Sequence, residues 1–218
     1  LHSTSRRQRQ MCIRDRFWGV KPQMFAGVAA KLAEDIAASD AVFVSMLAGV
    51  SLDRLAEMLG GEKKIIRIMP NTPVAVREGV VLYETSANVT ADMMDGFLNM
   101  MSQAGKLFHL EESLMDVGAA VSGCGPAYAY LILDAMADGG VACGLPRPDA
   151  VRFAAQTLLG AAQMVLETGK HPDQLKNNVC SPGGSTIQGV RTLEQRAVRA
   201  AVMDAVIAAC EKNAALGK

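Results

Sequence analysis

The sequence predicts an α/β unit built on a parallel sheet, followed by an all-α unit, and three observations predict it. Between residues 17 and 110 short β-rich runs alternate with helical stretches, the pattern of strand–helix–strand crossovers. After Glu111 the strand signals vanish and helical stretches run to the end. Half of the 218 residues are apolar, only 5% are aromatic and 13 are Met, a mix that suits closely approaching helices more than a β-sandwich.

The elements follow in order. Residues 17–20 read as the end of a strand, and Pro22 then starts an alanine-rich helix reaching about Ala38. Residues 41–47 form a buried strand, 48–50 a turn, and Ser51 the N-cap of a helix to Gly60. A strand over 64–69 leaves through Pro70, Asn71, Thr72 and Pro73, too proline-rich to begin a helix, and 79–85 is one further strand. A helix over 91–104 and a short strand over 106–110 close this part. The second part is helix punctuated at 139–140, 144–148, 169–172 and 182–184. Its run 128–137 is apolar nearly all round, which predicts burial on every side. Its last helix, from about Arg196 to Ala215, places Val198, Val202, Ala205 and Ala209 on one face. So much apolar helix in about a hundred residues suggests a subunit interface.

Composition excludes several classes. Lys plus Arg and Asp plus Glu balance at 22 each, so no bulk basic charge attracts nucleic acid or an anionic membrane. The uncharged segment 117–133 holds Gly118, Gly123, Gly125 and Pro126 and falls short of a bilayer span, so a membrane role is not expected. The five cysteines, 12, 124, 143, 180 and 210, include no CxxC pair and predict neither a disulfide framework nor a metal site. They read as reduced, mostly buried thiols of a cytoplasmic protein. Residues 1–16 carry five arginines, one acidic residue and no periodicity. Targeting peptide, nucleic-acid arm and foreign prefix compete there, and a non-native or disordered prefix is the expectation.

Two places concentrate candidate chemistry. The loops at 21–23, 48–50 and 70–73 each follow a strand, so they should emerge on one sheet edge, where open α/β sheets bind ligands. The hexapeptide SPGGST, 181–186, stands immediately before the apolar-periodic run Ile187, Val190 and Leu193. Glycines allow close backbone approach, first-turn N–H groups lack intrahelical partners, and the helix dipole favours an anion there. Ser181 and Thr186 add hydroxyls. The same residues also read as a plain turn before a capped helix.

Several long motifs in order, VKPQ (20–23), MPNTPVAVREG (69–79), VSGCGPAYAY (121–130), DGGVACGLPR (138–147) and NNVCSPGGSTI (177–187), make the chain closely resemble the pyrroline-5-carboxylate reductases. The resemblance implies NAD(P)H-dependent reduction of 1-pyrroline-5-carboxylate to L-proline, with NADPH or NADH as cofactor. It implies a Rossmann-like dinucleotide-binding domain over 17–110 and a helical dimerisation and substrate-binding domain over 111–218. A homodimer through the C-terminal helices, able to assemble into a ring of dimers, is the implied partner arrangement, with a cleft between one nucleotide domain and the helices of the dimer. The substrate carboxylate would sit on the amides of Gly183, Gly184, Ser185 and Thr186 beside Ser181, Thr186 would hydrogen-bond the ring nitrogen as the catalytic residue, and Glu112 would hold that nitrogen's charge. Val20, Lys21, Ala48, Asn71 and Asn178 would contact the cofactor. His109 and His171 read as structural.

The chain departs from this family in one respect: no GxGxxG follows an early strand. The expectation is an incomplete Rossmann-like domain in a truncated reductase that lacks its pyrophosphate-binding loop and binds NAD(P)H poorly. Two other readings stay open: another imine or hydroxyacid dehydrogenase of the same plan, a group that lacks SPGGST, and a non-catalytic helical dimerisation module.

Overall fold

The computed structural model describes residues 15–20 and 22–216. The expected prefix lies outside the described residues up to residue 14, but Asp15 and Arg16 do not: strand β1 is Asp15–Trp18, beginning two positions before the expected start at 17. Its register is set against β2 (Val42–Ser45), with Asp15 opposite Val42 and Trp18 opposite Ser45. Between them α1 (Pro22–Lys31) and α2 (Ala33–Ala37) replace the single expected helix. The break falls at Leu32, whose N–H is shared between the carbonyls of Val28 and Ala29, a local tightening that turns Ile36 into the core.

The chain continues through α3 (Leu52–Met58), β3 (Ile65–Pro70), a 3-10 turn over Thr72–Val76, β4 (Gly79–Thr85), α4 (Ala91–Met101) and β5 (Gly105–His109). Strand order is β1-β2-β3-β4-β5. The β1–β2, β2–β3 and β4–β5 pairs are parallel, whereas β3–β4 is antiparallel, a departure from the expected all-parallel sheet. The link between β3 and β4 holds only that 3-10 turn, too little chain for a crossover to a parallel neighbour. Pro70 is the last residue of β3, opposite Val81, and not part of the exit loop.

Strand alternation divides the core between the two sheet faces. Trp18, Phe43 and Ile65 pack with Phe25 and Ala29 of α1, Ile36 of α2 and Leu55 of α3 on one face. Val42, Val44, Ile66, Ile68 and Val81 pack with Phe97 of α4 on the other. Trp18 meets Phe25 edge-on at 5.0 Å between ring centres and stacks on Phe43 at 6.2 Å.

After a 3-10 turn over Glu112–Leu114 the remainder is helical: α5 (Met115–Ser122), α6 (Gly125–Ala142), α7 (Arg147–Thr168), α8 (Pro172–Asn178), α9 (Ser185–Gln195) and α10 (Val198–Leu216). Gly169, at φ 62°, ends α7 in the left-handed conformation that glycine adopts without strain. By packing, the chain forms two compact units: one runs to Pro126 and resumes at Ile207, and the other is Ala127–Val206. This division differs from the one expected at residue 111. Gly118 of α5 lies so close to Leu82 and Leu110 that a Cβ there would come within 2.6 Å of either, and Asn213 donates to the carbonyl of Asp116 at 3.1 Å. These contacts hold α5 and the end of α10 in the sheet-bearing unit.

In the second unit one packing expectation is not met within a single chain. The apolar run 128–137 is not buried within this chain: Tyr130 is 61% and Leu131 71% exposed, and only Ala137 of α6 is buried. Leu166 of α7 is 82% exposed, and Val202, on the expected face of α10, is also exposed. Tyr128 of α6 reaches the carbonyl of Ala205 in α10 at 3.2 Å. The thiols differ from expectation too: Cys124, Cys180 and Cys210 are half-buried and Cys143 is exposed.

Candidate functional site

The candidate residues fall in two groups, each inside one compact unit. In the sheet-bearing unit, parallel β1, β2 and β3 send their exits to one edge. Val20, half-buried, packs on the aromatic core just after β1, and Lys21 lies outside the described residues. The turn after β2 is anchored by short-range bonds: Ser45 Oγ accepts from the Leu47 N–H at 3.3 Å, and the carbonyl of Trp18 accepts from the Met46 N–H at 3.3 Å. Ala48 is exposed at the tip, and Gly49 turns the chain at φ 72°. Ser51 caps α3 as expected, accepting from the Arg54 N–H at 3.2 Å.

Asn71 is a brace. Its amide oxygen accepts from the Val80 N–H and its amide nitrogen donates to the carbonyl of Ser122, both at 2.9 Å. Glu112 is not the solvated charge that its EES surroundings suggest. Its Oε1 accepts from the main-chain N–H of Leu52 at 2.6 Å and from Arg67 Nη1 at 3.2 Å. Among the described residues no donor pairs with its Oε2. Arg67 also lies 3.6 Å from Asp116. Sequence reasoning missed Arg67, although a charge inside the apolar strand IIRIMP was the signal that could have found it.

In the second unit Asn178 is the exposed last residue of α8, and the chain then enters the SPGGST turn. The carbonyl of Ser181 accepts from the Gly184 N–H at 3.0 Å, with Pro182 and Gly183 between them and Gly183 at φ 72°. A proline followed by a positive-φ glycine is what a type II turn requires. Gly184 is the N-cap of α9, and among the described residues no side chain caps that helix. The first amides, those of Ser185 and Thr186, therefore stand at an open helix N-terminus beside the exposed hydroxyls of Ser181, Ser185 and Thr186. A Cβ on Gly184 would strike Ser181 Oγ, so the turn is closed against the hydroxyl. His171 accepts from the Asp173 N–H at 3.2 Å as the cap of α8, and His109 lies 3.1 Å from Glu84, both in structural roles. No group of three or more His, Cys, Asp or Glu among the described residues is arranged to hold a metal ion.

Comparison with known proteins gives a consistent result. The family model for pyrroline-5-carboxylate reductase dimerisation matches residues 112–216. The pyrroline-5-carboxylate reductase of Escherichia coli K12 is 44% identical over 205 residues, covering 93% of this chain and 75% of the relative. That of Glycine max is 42% identical over 194 residues, covering 89% and 70%. The crystal structure of Plasmodium falciparum pyrroline carboxylate reductase with NADP bound superposes with a TM-score of 0.86 at 36% identity, covering 93% of this chain and 81% of that one. The Coxiella burnetii pyrroline-5-carboxylate reductase gives 0.87 at 32% identity, covering 97% and 79%.

Proposed function

Because the chain belongs to the pyrroline-5-carboxylate reductase family, an NAD(P)H-dependent oxidoreductase forming L-proline from 1-pyrroline-5-carboxylate, we propose how its own residues divide that work. The observation that carries the reading is the uncapped N-terminus of α9 behind a glycine turn. The amides of Gly183, Gly184, Ser185 and Thr186 receive the substrate carboxylate, with Ser181 beside them. The Thr186 hydroxyl holds the ring nitrogen and so fixes which face of the C=N bond is presented. Glu112, with Oε1 already engaged, offers Oε2 to the positive charge of that nitrogen.

The turns after β1 and β2 fit a dinucleotide: they leave parallel strands on one edge, and Gly49 lets main-chain groups around exposed Ala48 face a ligand. Val20, Lys21, Ala48, Asn71 and Asn178 are the residues that would hold it. When bound, NAD(P)H supplies the reducing equivalent for the C=N carbon. The protein contributes position and charge, so orientation of the two reactants supplies most of the acceleration.

The exposed apolar faces of α6, α7 and α10 support a homodimer built through these helices, in which a second copy supplies the burial that one chain lacks. No helix among the described residues is long and apolar enough to cross a membrane, and the four cysteines among those residues are free, as a reducing cytoplasm would keep them.

Pyrroline-5-carboxylate-dependent oxidation of NADPH, run on this chain and on one with a glycine fingerprint restored before β1, is the test, and the Thr186 variant is read in the restored protein. Thr186→Ala should lower kcat by about a hundredfold or more while NADPH affinity stays at the wild-type value. Wild-type turnover in that variant removes Thr186 from the mechanism.

A further inference from the structure

Strand β3 places one charged side chain, Arg67, between Ile66 and Ile68, and it is only 4% exposed. Burying a guanidinium costs several kcal/mol, on the order of what a well-paired carboxylate returns, and an apolar side chain of similar volume is often as stable or more so. Arg67 is not even fully satisfied: Nη1 and Nη2 face Glu112 and Asp116, but the buried Nε has no partner among the described residues. Stability alone therefore gives little reason for an arginine at this position.

What the arginine does hold is a carboxylate that is itself holding the backbone. Glu112 Oε1 lies between Arg67 Nη1 and the N–H of Leu52, sixty residues away in sequence. Leu52 is the first residue of α3, so this N–H is one of the unpartnered amides of a helix start. Ser51 already serves the Arg54 N–H, leaving Leu52 to Glu112. The turn carrying Ala48, Gly49 and Val50 is thus tied at its entry by Ser45 and Trp18 and at its exit by Glu112.

We propose that Arg67 is a positioning residue for the cofactor: through Glu112 it fixes the Leu52 amide and with it the turn 48–50 after β2. This rests on the reading that Ala48 contacts NAD(P)H. A carboxylate without its arginine would rotate toward water and release the turn.

Amide hydrogen exchange of the full chain tests both statements separately. In the chain with a glycine fingerprint restored before β1, saturating NADPH should slow exchange across 48–50; unchanged amides there sink the cofactor reading, whatever Arg67 does. Without cofactor, Arg67→Met should speed exchange at Leu52 about tenfold while Ile66 and Val81 in the sheet exchange as before. Kinetically, the KM for NADPH should rise severalfold, and kcat should fall with it because the released Glu112 no longer meets the ring nitrogen. Unchanged exchange at Leu52, or equal acceleration throughout the sheet, overturns the positioning role. Glu112→Ala should reproduce the faster Leu52 exchange, and adding Arg67→Met to it should change that amide no further; an additive double variant overturns the route through Glu112. Arg67→Lys, which keeps a charge and guards against misfolding of the Met variant, should restore most of the protection at Leu52, and a failure to do so counts against the proposal.

Discussion

The side-chain amide of Asn71 donates to the main-chain carbonyl of Ser122 at 2.9 Å, joining the exit of β3 to the last residue of α5. The other end of the same amide accepts from Val80 at the start of β4. One side chain thus ties together the strand that ends at the ligand edge, the turn that reverses it and the helix that leads into VSGCGPAYAY. Asn71 is thereby fixed in position by two bonds.

Replacing Asn71 by Leu strands two partly buried main-chain groups and should destabilise the chain by about 2 kcal/mol. Asn71→Asp keeps the acceptor for Val80 and should lose less. Urea unfolding of the two variants ranks them, and the reverse order would contradict an amide oxygen turned toward Val80.

Gly105 stands directly opposite Gly79 in the β4–β5 ladder, at φ 126°, where a Cβ would collide with the main chain of Gly79. Gly79 cannot easily retreat, because its N–H donates to the carbonyl of Ala104 at 3.1 Å. Gly105→Ala should therefore cost about 3 kcal/mol or more, read as a lowered urea midpoint.

Gly183 holds a left-handed conformation in the turn before α9. Gly183→Ala should strain that turn by about 1 kcal/mol and misplace the amides behind it. Steady-state kinetics should show a raised KM for pyrroline-5-carboxylate with the KM for NADPH unchanged.

A surface cluster in the helical unit sets a pH dependence. The hydrogen bond from Lys176 holds Asp173 below its ordinary value of 3.8, and the hydrogen bond from Arg199 holds Glu194 below 4.5. Both carboxylates have depressed folded-state values, so their stabilisation is present above the unfolded values and is lost as pH falls through the lower folded ones. The Tm difference between wild type and Arg199→Met should be constant from neutral pH to about pH 5 and shrink below it. Both carboxylates and Arg199 are exposed, so the difference should be small and diminish further in high salt.

Much of the fold was legible because it depends on local chemistry. Alternating apolar runs marked the strands, Ser51 announced the start of α3, and proline with glycine located the turn before α9; each signal acts within a few residues of itself. The motifs from VKPQ to NNVCSPGGSTI carried the family reading for the same reason, being contiguous stretches of chain.

The direction of β4, the two partners of Asn71, the Arg67–Glu112–Leu52 chain and the exposure of the apolar face of α6 were settled only when distant segments met. Periodicity tells which face of an element is apolar, but not what covers it, so a helix that looks fully interior can stand open in one chain. A polar side chain likewise declares its donors and acceptors in the sequence, while its partners, sixty residues away for Glu112 and Leu52, are decided by the packing that brings them within hydrogen-bonding distance.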